Sequence, residues 1–452
     1  MGDLKELTIT EVSTMLKNNK ISVKELAQEY IKRIKIFDQG ENGLNSVLEL
    51  NPDAMELANN LDKQYTERKS LLFGVPILLK DNIDTADNMH TSAGSLALAD
   101  SKAVADAEIV KRLKTKGALI LGKTNMTEFA NYMTKGMPPG YSSRGGKVIS
   151  PYNREKRPSG SSTGSAVATA ADFCTASFGT DTSGSIISPA IKNGIVGFRP
   201  GIGAMSQKGI VPISFTCDTA GPMTRTVSDA SIIYTELTGM PIKTENALAE
   251  QKPITIGINE YELKGLSGQD AKKSETIIND LKKEGLIIKR INIEPMPSEN
   301  IKQIERYEFK FALNRYLGEL SKDYPIRSLR DIIEFNNQNS EKALKYGQSL
   351  LIDAEENTRG DLSEYEYIEL LKDREVHKIT VMETIRGIDV SIFFNVNLIL
   401  QYTGMSVITI PHGLNNDGMP YGVSMTSLSD VNLLKYAIRI EQIIGYRVPP
   451  KM

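Results

Sequence analysis

The chain has 452 residues, with 54 basic against 56 acidic side chains, 40% hydrophobic residues, three histidines, two cysteines and no tryptophan. This even charge balance gives no electrostatic reason to expect nucleic acid or an anionic membrane as a partner, and two cysteines 43 positions apart supply no disulfide framework, which suits a reducing compartment. The histidines (His90, His377, His412) occur singly, with no H-E-x-x-H and no C-x-x-C, so no metal is expected and any hydrolytic chemistry must find its base elsewhere.

The segment Met1–Glu6 lacks the apolar stretch of a signal peptide, and Glu6 stands where a myristoylation motif needs Ser or Thr. The apolar run Leu71–Leu79 is too short to cross a bilayer. A cytoplasmic protein is expected.

The first 70 residues read as helices. Ser22-Val23-Lys24-Glu25 is a capping box, and Val23, Leu26, Tyr30 and Ile34 recur at helical spacing. From Leu71 to Gly239 short apolar runs (Val75–Leu79, Ala118–Leu121) alternate with helical patterns such as Ala107–Lys116, which predicts α/β layering. Ile254–Asn259 reads as a strand, Asp270–Glu284 as a helix ended by Gly285, and Leu286–Ile293 as the next strand. Residues 295–385 are charged and helix-like, including Lys302–Leu317 and Tyr365–Arg386. Residues 386–452 return to apolar runs (Ile392–Leu400, Ser406–Ile410) and a closing helix, Val431–Ile444. With no internal repeat and no low-complexity linker, the expectation is one domain over 1–452: N-terminal helices at 1–70, a catalytic core at 71–245, a helical excursion at 295–385 and a C-terminal return to the core.

Gly117-Ala-Leu-Ile-Leu-Gly122-Lys123-Thr124 matches the phosphate-loop pattern letter for letter. A phosphate loop needs a strand before its first glycine and exposed amides between the two glycines. Here a helical pattern precedes Gly117 and the residues between the glycines are themselves the apolar strand, so a helix–turn–strand unit is the reading.

Three other pieces carry chemistry. Lys80 directly follows an apolar strand in Gly74-Val-Pro-Ile-Leu-Leu-Lys80-Asp81-Asn82. Pro158-Ser-Gly-Ser161-Ser162-Thr-Gly-Ser165 leads into the Ala-rich run Ala166–Ala171. Gly179-Thr-Asp181-Thr182-Ser183-Gly184-Ser185 follows the strand Ala176–Phe178. A lone lysine at a strand end is commonly a solvated cap, and a Ser/Gly cluster is commonly a linker. Linkers, however, do not alternate with core elements in this way. The sharper reading is nucleophilic catalysis without histidine. Serine attacks a carbonyl only when something takes its proton and something stabilises the oxyanion. Burial lowers a lysine's pKa and fits it to accept that proton, and backbone amides of Thr182-Ser183-Gly184-Ser185 turned toward one point would supply the oxyanion hole.

With key serines 24 positions apart behind a strand-borne lysine, the chain resembles the amidase-signature hydrolases, closely over Lys5–Gly239 and more loosely over the last 65 residues. The resemblance implies a mixed β-sheet sandwiched between layers of α-helices. It implies a Ser–cis-Ser–Lys triad, with Ser185 as nucleophile, Ser161 as bridging cis-serine and Lys80 as general base, and oxyanion amides on Thr182, Ser183, Gly184 and Ser185. It further places Ala130, Asn131 and Tyr132 where the family lines its substrate pocket. Gly140-Tyr-Ser-Ser-Arg-Gly-Gly146 and the stretches Ile210–Ser214 and Ala220–Pro222 look most like the peptide-amidase branch, which hydrolyses C-terminal amides of peptides.

Several positions depart from the family pattern. Ser159, Thr163 and Ser183 replace common glycines, and Ser183 can keep an oxyanion-hole role only with a suitable backbone angle. Neither Ile187 nor Ser188 is the arginine that often follows the nucleophile. The apolar-Pro-Thr loop that follows the late strand is absent, and Ile388–Asn395 runs on without it.

Among the remaining residues, Cys174 reads as a packing thiol, Cys217 has no histidine neighbour in sequence, His412 reads as a turn residue near a strand end, and Arg144 is either structural or at the pocket mouth. The expected activity is hydrolysis of a carboxamide to acid plus ammonia or amine, without cofactor, on a small-molecule or peptidyl amide. The oligomeric state is open, a homodimer being one arrangement the reading allows. The alternatives are the amidase component of a tRNA-dependent amidotransferase and a non-catalytic amide-binding homologue.

Overall fold

The computed structural model describes residues 4–64, 69–242 and 253–452. The segment Met1–Asp3 and the expected core boundary at 245 lie outside the described residues.

The chain opens with helices α1 (Ile9–Lys17) and α2 (Val23–Arg33). The expected capping box is formed: Ser22 Oγ accepts from the Glu25 amide at 3.1 Å and Glu25 Oε2 accepts from the Ser22 amide at 2.8 Å. Val23, Leu26, Tyr30 and Ile34 are all buried. The N-terminal 70 residues are not helices alone, however. Strand β1 (Val47–Leu50) pairs antiparallel with β3 (Leu119–Thr124) before α3 (Ala54–Lys63) begins. Its four residues are too few for a periodicity to show, and its partner lies about seventy residues downstream.

Strand β2 (Pro76–Lys80), helix α4 (Glu108–Thr115) and β3 form a parallel crossover unit. A small hairpin, β4 (Tyr141–Ser142) and β5 (Gly146–Lys147), precedes helix α5 (Thr163–Ala170). Strand β6 (Ala176–Asp181), helix α6 (Ile187–Lys192), strands β7 (Val196–Arg199) and β8 (Thr219–Thr224), and helix α7 (Val227–Thr238) complete the first half. The phosphate-loop lookalike is the end of α4, a turn and β3. Lys123 is buried inside that strand and donates to Ile83 O and Thr91 Oγ1.

The second half contributes β9 (Thr255–Asn259), α8 (Glu260–Gly265), α9 (Gly268–Lys283) and β10 (Ile287–Ile291). Next come the helices of the excursion: α10 (Ser298–Gly318), α11 (Leu329–Gln338), α12 (Ser340–Ala343), α13 (Ser349–Asn357) and α14 (Tyr365–Thr384). The chain returns through β11 (Val390–Phe393), α15 (Leu398–Tyr402), β12 (Val407–Leu414), β13 (Pro420–Thr426) and α16 (Asp430–Ile444). The apolar run Ile392–Leu400, expected as one strand, is divided. Asn397 Oδ1 accepts from the Ile399 amide at 3.3 Å and starts α15, so the strand ends at Phe393. His412 lies within β12 near its end, its Nδ1 bonded to the Ile444 carbonyl at 2.6 Å.

Among the described residues eleven strands form one mixed sheet in the order β1-β3-β2-β6-β8-β7-β12-β13-β11-β9-β10, with helices layered on it. The central segment β3-β2-β6 is parallel and buried on both faces, every residue of β2, β3 and β6 being buried. Lys80, Thr124 and Asp181 therefore lie at the same edge of the sheet, the carboxyl ends of parallel strands, where α/β folds bring functional loops together. Among the described residues no helix is long and apolar enough to cross a membrane.

Candidate active site

Lys80 closes β2, and its side chain is 0% exposed. Nζ lies 2.8 Å from Ser161 Oγ, 2.8 Å from Thr180 Oγ1 and 3.3 Å from Thr180 O. Burial lowers its pKa to about 7, against the opposing pull of the Asp181 and Asp218 carboxylates. An uncharged amine has two hydrogens and one lone pair. Two oxygens of Thr180 can take the hydrogens, which leaves the lone pair facing Ser161.

Ser161 follows a cis Gly160–Ser161 peptide bond just before α5. The Ser162 amide donates to the Ser185 carbonyl at 3.2 Å, fastening the two serine loops together. Ser162 Oγ in turn donates to Thr180 O at 3.0 Å, so the loop before α5 is also pinned to β6. The Ser185 hydroxyl has no hydrogen-bond partner among the described residues. It is 7% exposed and faces a cavity of about 910 Å³. Lys80, Ser161 and Ser185 are thus brought to one place, with Lys80 and Ser161 in direct contact.

The loop Thr182–Ser185 is organised by Asp181, a member of the third motif to which the sequence assigned no role. Asp181 Oδ1 accepts from the Gly184 amide at 2.9 Å and Oδ2 from the Ile186 amide at 2.6 Å. Its charge is met by Arg199 Nε at 3.1 Å, both side chains being 0% exposed. Because the Gly184 amide is already engaged by Asp181, it is not free to bind an oxyanion. That expectation is corrected, and the amides of Thr182, Ser183 and Ser185 are the donors of the loop left without a partner among the described residues. Gly184 has φ +100°, and a Cβ there would lie 3.0 Å from Val396 Cγ1. Ser183 has an ordinary negative φ and needs no glycine, whereas Ser159 occupies φ +63°. Ser159 Oγ pairs with Ser188 Oγ at 2.7 Å, and Thr163 Oγ1 donates to the Ser159 carbonyl at 2.8 Å. Two of the three substituted glycines therefore hold each other in place.

Ala130, Asn131 and Tyr132 line the cavity. Phe129, Ala130 and Asn131 run through three successive positive φ values of 46°, 52° and 80°, a conformation that persists only where packing imposes it. Tyr132 and Phe129 pack on Phe309 of α10, with centroids 4.3 and 6.3 Å away. The other wall is α10 itself, through Ile301, Lys302, Glu305 and Arg306. Glu308 ties that helix to the core by accepting from Ser214 Oγ at 2.5 Å, the Thr216 amide at 3.1 Å and Tyr367 Oη at 2.7 Å. Glu305 is 6% exposed, its Oε1 has no hydrogen-bond partner among the described residues, and burial pushes its carboxyl up to about 8, with the Ser183 hydroxyl opposing that rise. No periodicity marked it, since its importance comes from which face of α10 meets the cavity.

Arg144 is structural. It donates to Glu49 at 2.8 Å and Asp81 at 3.3 Å and does not line the cavity. Cys174 and Cys217 are buried, and burial pushes both thiols up to about 12, far from a reactive thiolate. Among the described residues no cluster of three or more His, Cys, Asp or Glu side chains could hold a metal ion.

Comparison with known proteins identifies the family. The amidase family model matches residues 25–431. A probable amidase of Arabidopsis thaliana is 34% identical, the alignment covering 99% of this chain and 92% of the relative. The crystal structure of native peptide amidase from Stenotrophomonas maltophilia superposes with a TM-score of 0.90 at 31% identity, covering 99% of this chain and 98% of that one. A glutamyl-tRNA(Gln) amidotransferase subunit of Exiguobacterium sibiricum is 38% identical, but over only 51% of this chain and 46% of its own length.

Proposed function

This chain belongs to the amidase family and is a hydrolase acting on amide bonds, and from that premise we propose that it cleaves a carboxamide, non-peptide or C-terminal peptide amide, through Lys80, Ser161 and Ser185. The observation that carries the reading is the 2.8 Å contact between Lys80 Nζ, fully buried with a pKa of about 7, and Ser161 Oγ beside the cavity that Ser185 faces.

In the proposed reaction uncharged Lys80 takes the proton of Ser161, and Ser161 takes that of Ser185 as Ser185 Oγ attacks the carbonyl carbon. The negative charge on the carbonyl oxygen is met by the free amides of the Thr182–Ser185 loop. The C–N bond breaks, the leaving nitrogen recovers the proton by the reverse path, and an ester remains on Ser185. Water then attacks that ester, giving its proton to the same relay, and the carboxylic acid leaves with Ser185 restored.

The cavity of about 910 Å³ supports an acyl group much larger than that of a simple aliphatic amide. Likeness to a peptide amidase across nearly the whole chain supports a peptidyl or similarly extended substrate. The amidotransferase reading draws on relatives matched over 51% to 64% of the chain, and neither Ile187 nor Ser188 offers a cation beside Ser185 for the carboxylate of glutamine.

The test is ammonia release across aliphatic, aromatic and peptidyl amides, with Ser185→Ala as control. Ser185→Ala is expected to lose both turnover and labelling by a serine-directed fluorophosphonate. Activity retained in that variant overturns the mechanism. Glutaminase activity that appears only with a co-purified partner protein would establish the amidotransferase alternative instead.

A further inference from the structure

Three acids line the cavity. Glu299 accepts from Gln303 Nε2 at 3.1 Å along α10, and Asp353 pairs with Arg306 at 2.7 Å. Glu305 differs from both: it is 6% exposed, and its Oε1 has no hydrogen-bond partner among the described residues. Buried acceptors are ordinarily satisfied by protein or water, so an orphaned oxygen in the wall of a substrate cavity is a place for a ligand's donor. The Ser183 hydroxyl acts on the same carboxyl. It stands where the amidase-signature pattern commonly has glycine, so this pairing belongs to the chain and not to the general pattern. Ser183 lies two positions from Ser185 in one loop, and both line the cavity. Glu305 therefore meets an acyl group close to the reacting carbonyl.

An uncharged donor suits this acceptor better than a cation. Burial, with Asp218 and Glu308 adding to it, pushes the Glu305 carboxyl up to about 8 against the Ser183 hydroxyl and Lys302, so it is protonated at neutral pH. A protonated carboxyl has one O–H to give and an oxygen that accepts. With the O–H given to Ser183 Oγ, Oε1 is that acceptor. The two neighbouring acids are already engaged. Asp218 accepts from Thr182 Oγ1 and the amides of Ile213 and Ser214, and Glu308 from the hydroxyls of Ser214, Thr216 and Tyr367. Glu305 is thus left to take the new partner. In a peptidyl amide, the donor nearest the scissile carbonyl on the acyl side is the N–H of the preceding peptide unit.

We propose that Glu305, seated against Ser183, is a specificity-determining residue that accepts the N–H of the peptide unit preceding the scissile carboxamide. It selects acylaminoacyl amides over carboxamides of equal size that lack this N–H. The proposal rests on the amide-hydrolase reading of the cavity and adds the group that is recognised. Its test is kcat/KM for ammonia release from N-acetylphenylalaninamide and from the analogue in which a methylene replaces the acetylated N–H. The wild-type chain should prefer the first by about ten- to hundredfold, the effect of leaving a buried acceptor without its donor. Glu305→Leu should bring the ratio close to one, and Glu305→Gln, whose amide oxygen still accepts, should keep most of it. A Glu305 that is merely structural would lower both substrates together and leave the ratio where it was, which overturns the proposal. So does equal use of the two substrates by the wild-type chain, a comparison that needs no variant to fold. A preference for phenylalaninamide over its N-acetyl form overturns it too, since the partner would then be an ammonium. Ser185-dependent ammonia release from aliphatic or aromatic amides, with none from N-acetylphenylalaninamide, overturns this inference alone. No ammonia from any amide overturns the hydrolase reading with it.

Discussion

Lys80 Nζ stands 2.8 Å from Ser161 Oγ, with both oxygens of Thr180 completing the shell of the amine. No carboxylate touches it, and the more distant pull of the Asp181 and Asp218 carboxylates only partly offsets the water that the ammonium form has lost. The surroundings therefore favour the form that can accept a proton.

A pH dependence follows. With a folded pKa of about 7, kcat/KM should fall about tenfold for each pH unit below 7, and this Lys80 limb should flatten above 7, because only uncharged Lys80 accepts the proton. Lys80→Met should lower kcat by about 10²–10⁴-fold. The stability effect has the opposite sense. The folded value lies below the ordinary 10.5, so the unfolded chain binds more protons between the two values and burial costs most below pH 7. Lys80→Met should therefore raise Tm most in acid and least near pH 10. A pH series of melts beside the activity profile measures both.

Asp181 and Arg199 form a fully buried pair at 3.1 Å, and the same carboxylate holds the amides of Gly184 and Ile186. Asp181→Asn leaves Arg199 charged and unmatched, at a cost of about 3–5 kcal/mol, and slackens the loop that carries Ser185. Both Tm and kcat should fall. In Asp181→Asn/Arg199→Met the stability should partly return while kcat stays low, which separates the charge imbalance from the loop geometry.

Local chemistry was legible in the sequence. The Ser22–Glu25 box needs only neighbours along the chain, and Lys80 was visible because an apolar run stops at it. What could not be read depends on contacts across the fold. Strand β1 is a strand because β3 lies beside it, and the Gly184 amide is occupied because Asp181 folds back onto it. The helix around Glu305 was legible from its charged, helix-like composition over Lys302–Leu317. That Glu305 faces the cavity while Glu308 reaches Ser214 is decided by the packing of α10, which no local pattern encodes.

Gly184 tests the loop from its backbone. At φ +100°, with Val396 Cγ1 3.0 Å from the position of a Cβ, Gly184→Ala should destabilise the fold by at least about 1 kcal/mol. If the free amides of Thr182, Ser183 and Ser185 bind the oxyanion, their displacement acts on the transition state and not on substrate binding. The expected result is a fall in kcat with KM little changed, and steady-state kinetics with one amide substrate reads it directly.

The cysteines give a prediction of the opposite kind. Both are buried with thiols raised to about 12, so iodoacetamide should leave native activity intact and label the protein only after unfolding. Cys217→Ser should keep its turnover. A loss of activity that tracks alkylation of the native chain would contradict the serine mechanism.

Glu305 sets the alkaline side. Burial and the nearby Asp218 push its carboxyl up to about 8, while the Ser183 hydroxyl pulls it down. The folded state keeps a proton that the unfolded chain releases near 4.5, so the associated stability is lost as pH rises through 8. Ionisation also places a negative charge beside the loop that would receive the oxyanion, where like charge opposes the transition state. The wild-type kcat/KM should therefore turn down above pH 8, which with the Lys80 limb gives a narrow bell. Glu305→Gln keeps the shape and removes the titration. Its profile should rise through 7 and stay flat above 8, and its Tm should decline less between pH 7 and 9. Parallel wild-type and Glu305→Gln profiles across that range would remove Glu305 from the account of the alkaline limb.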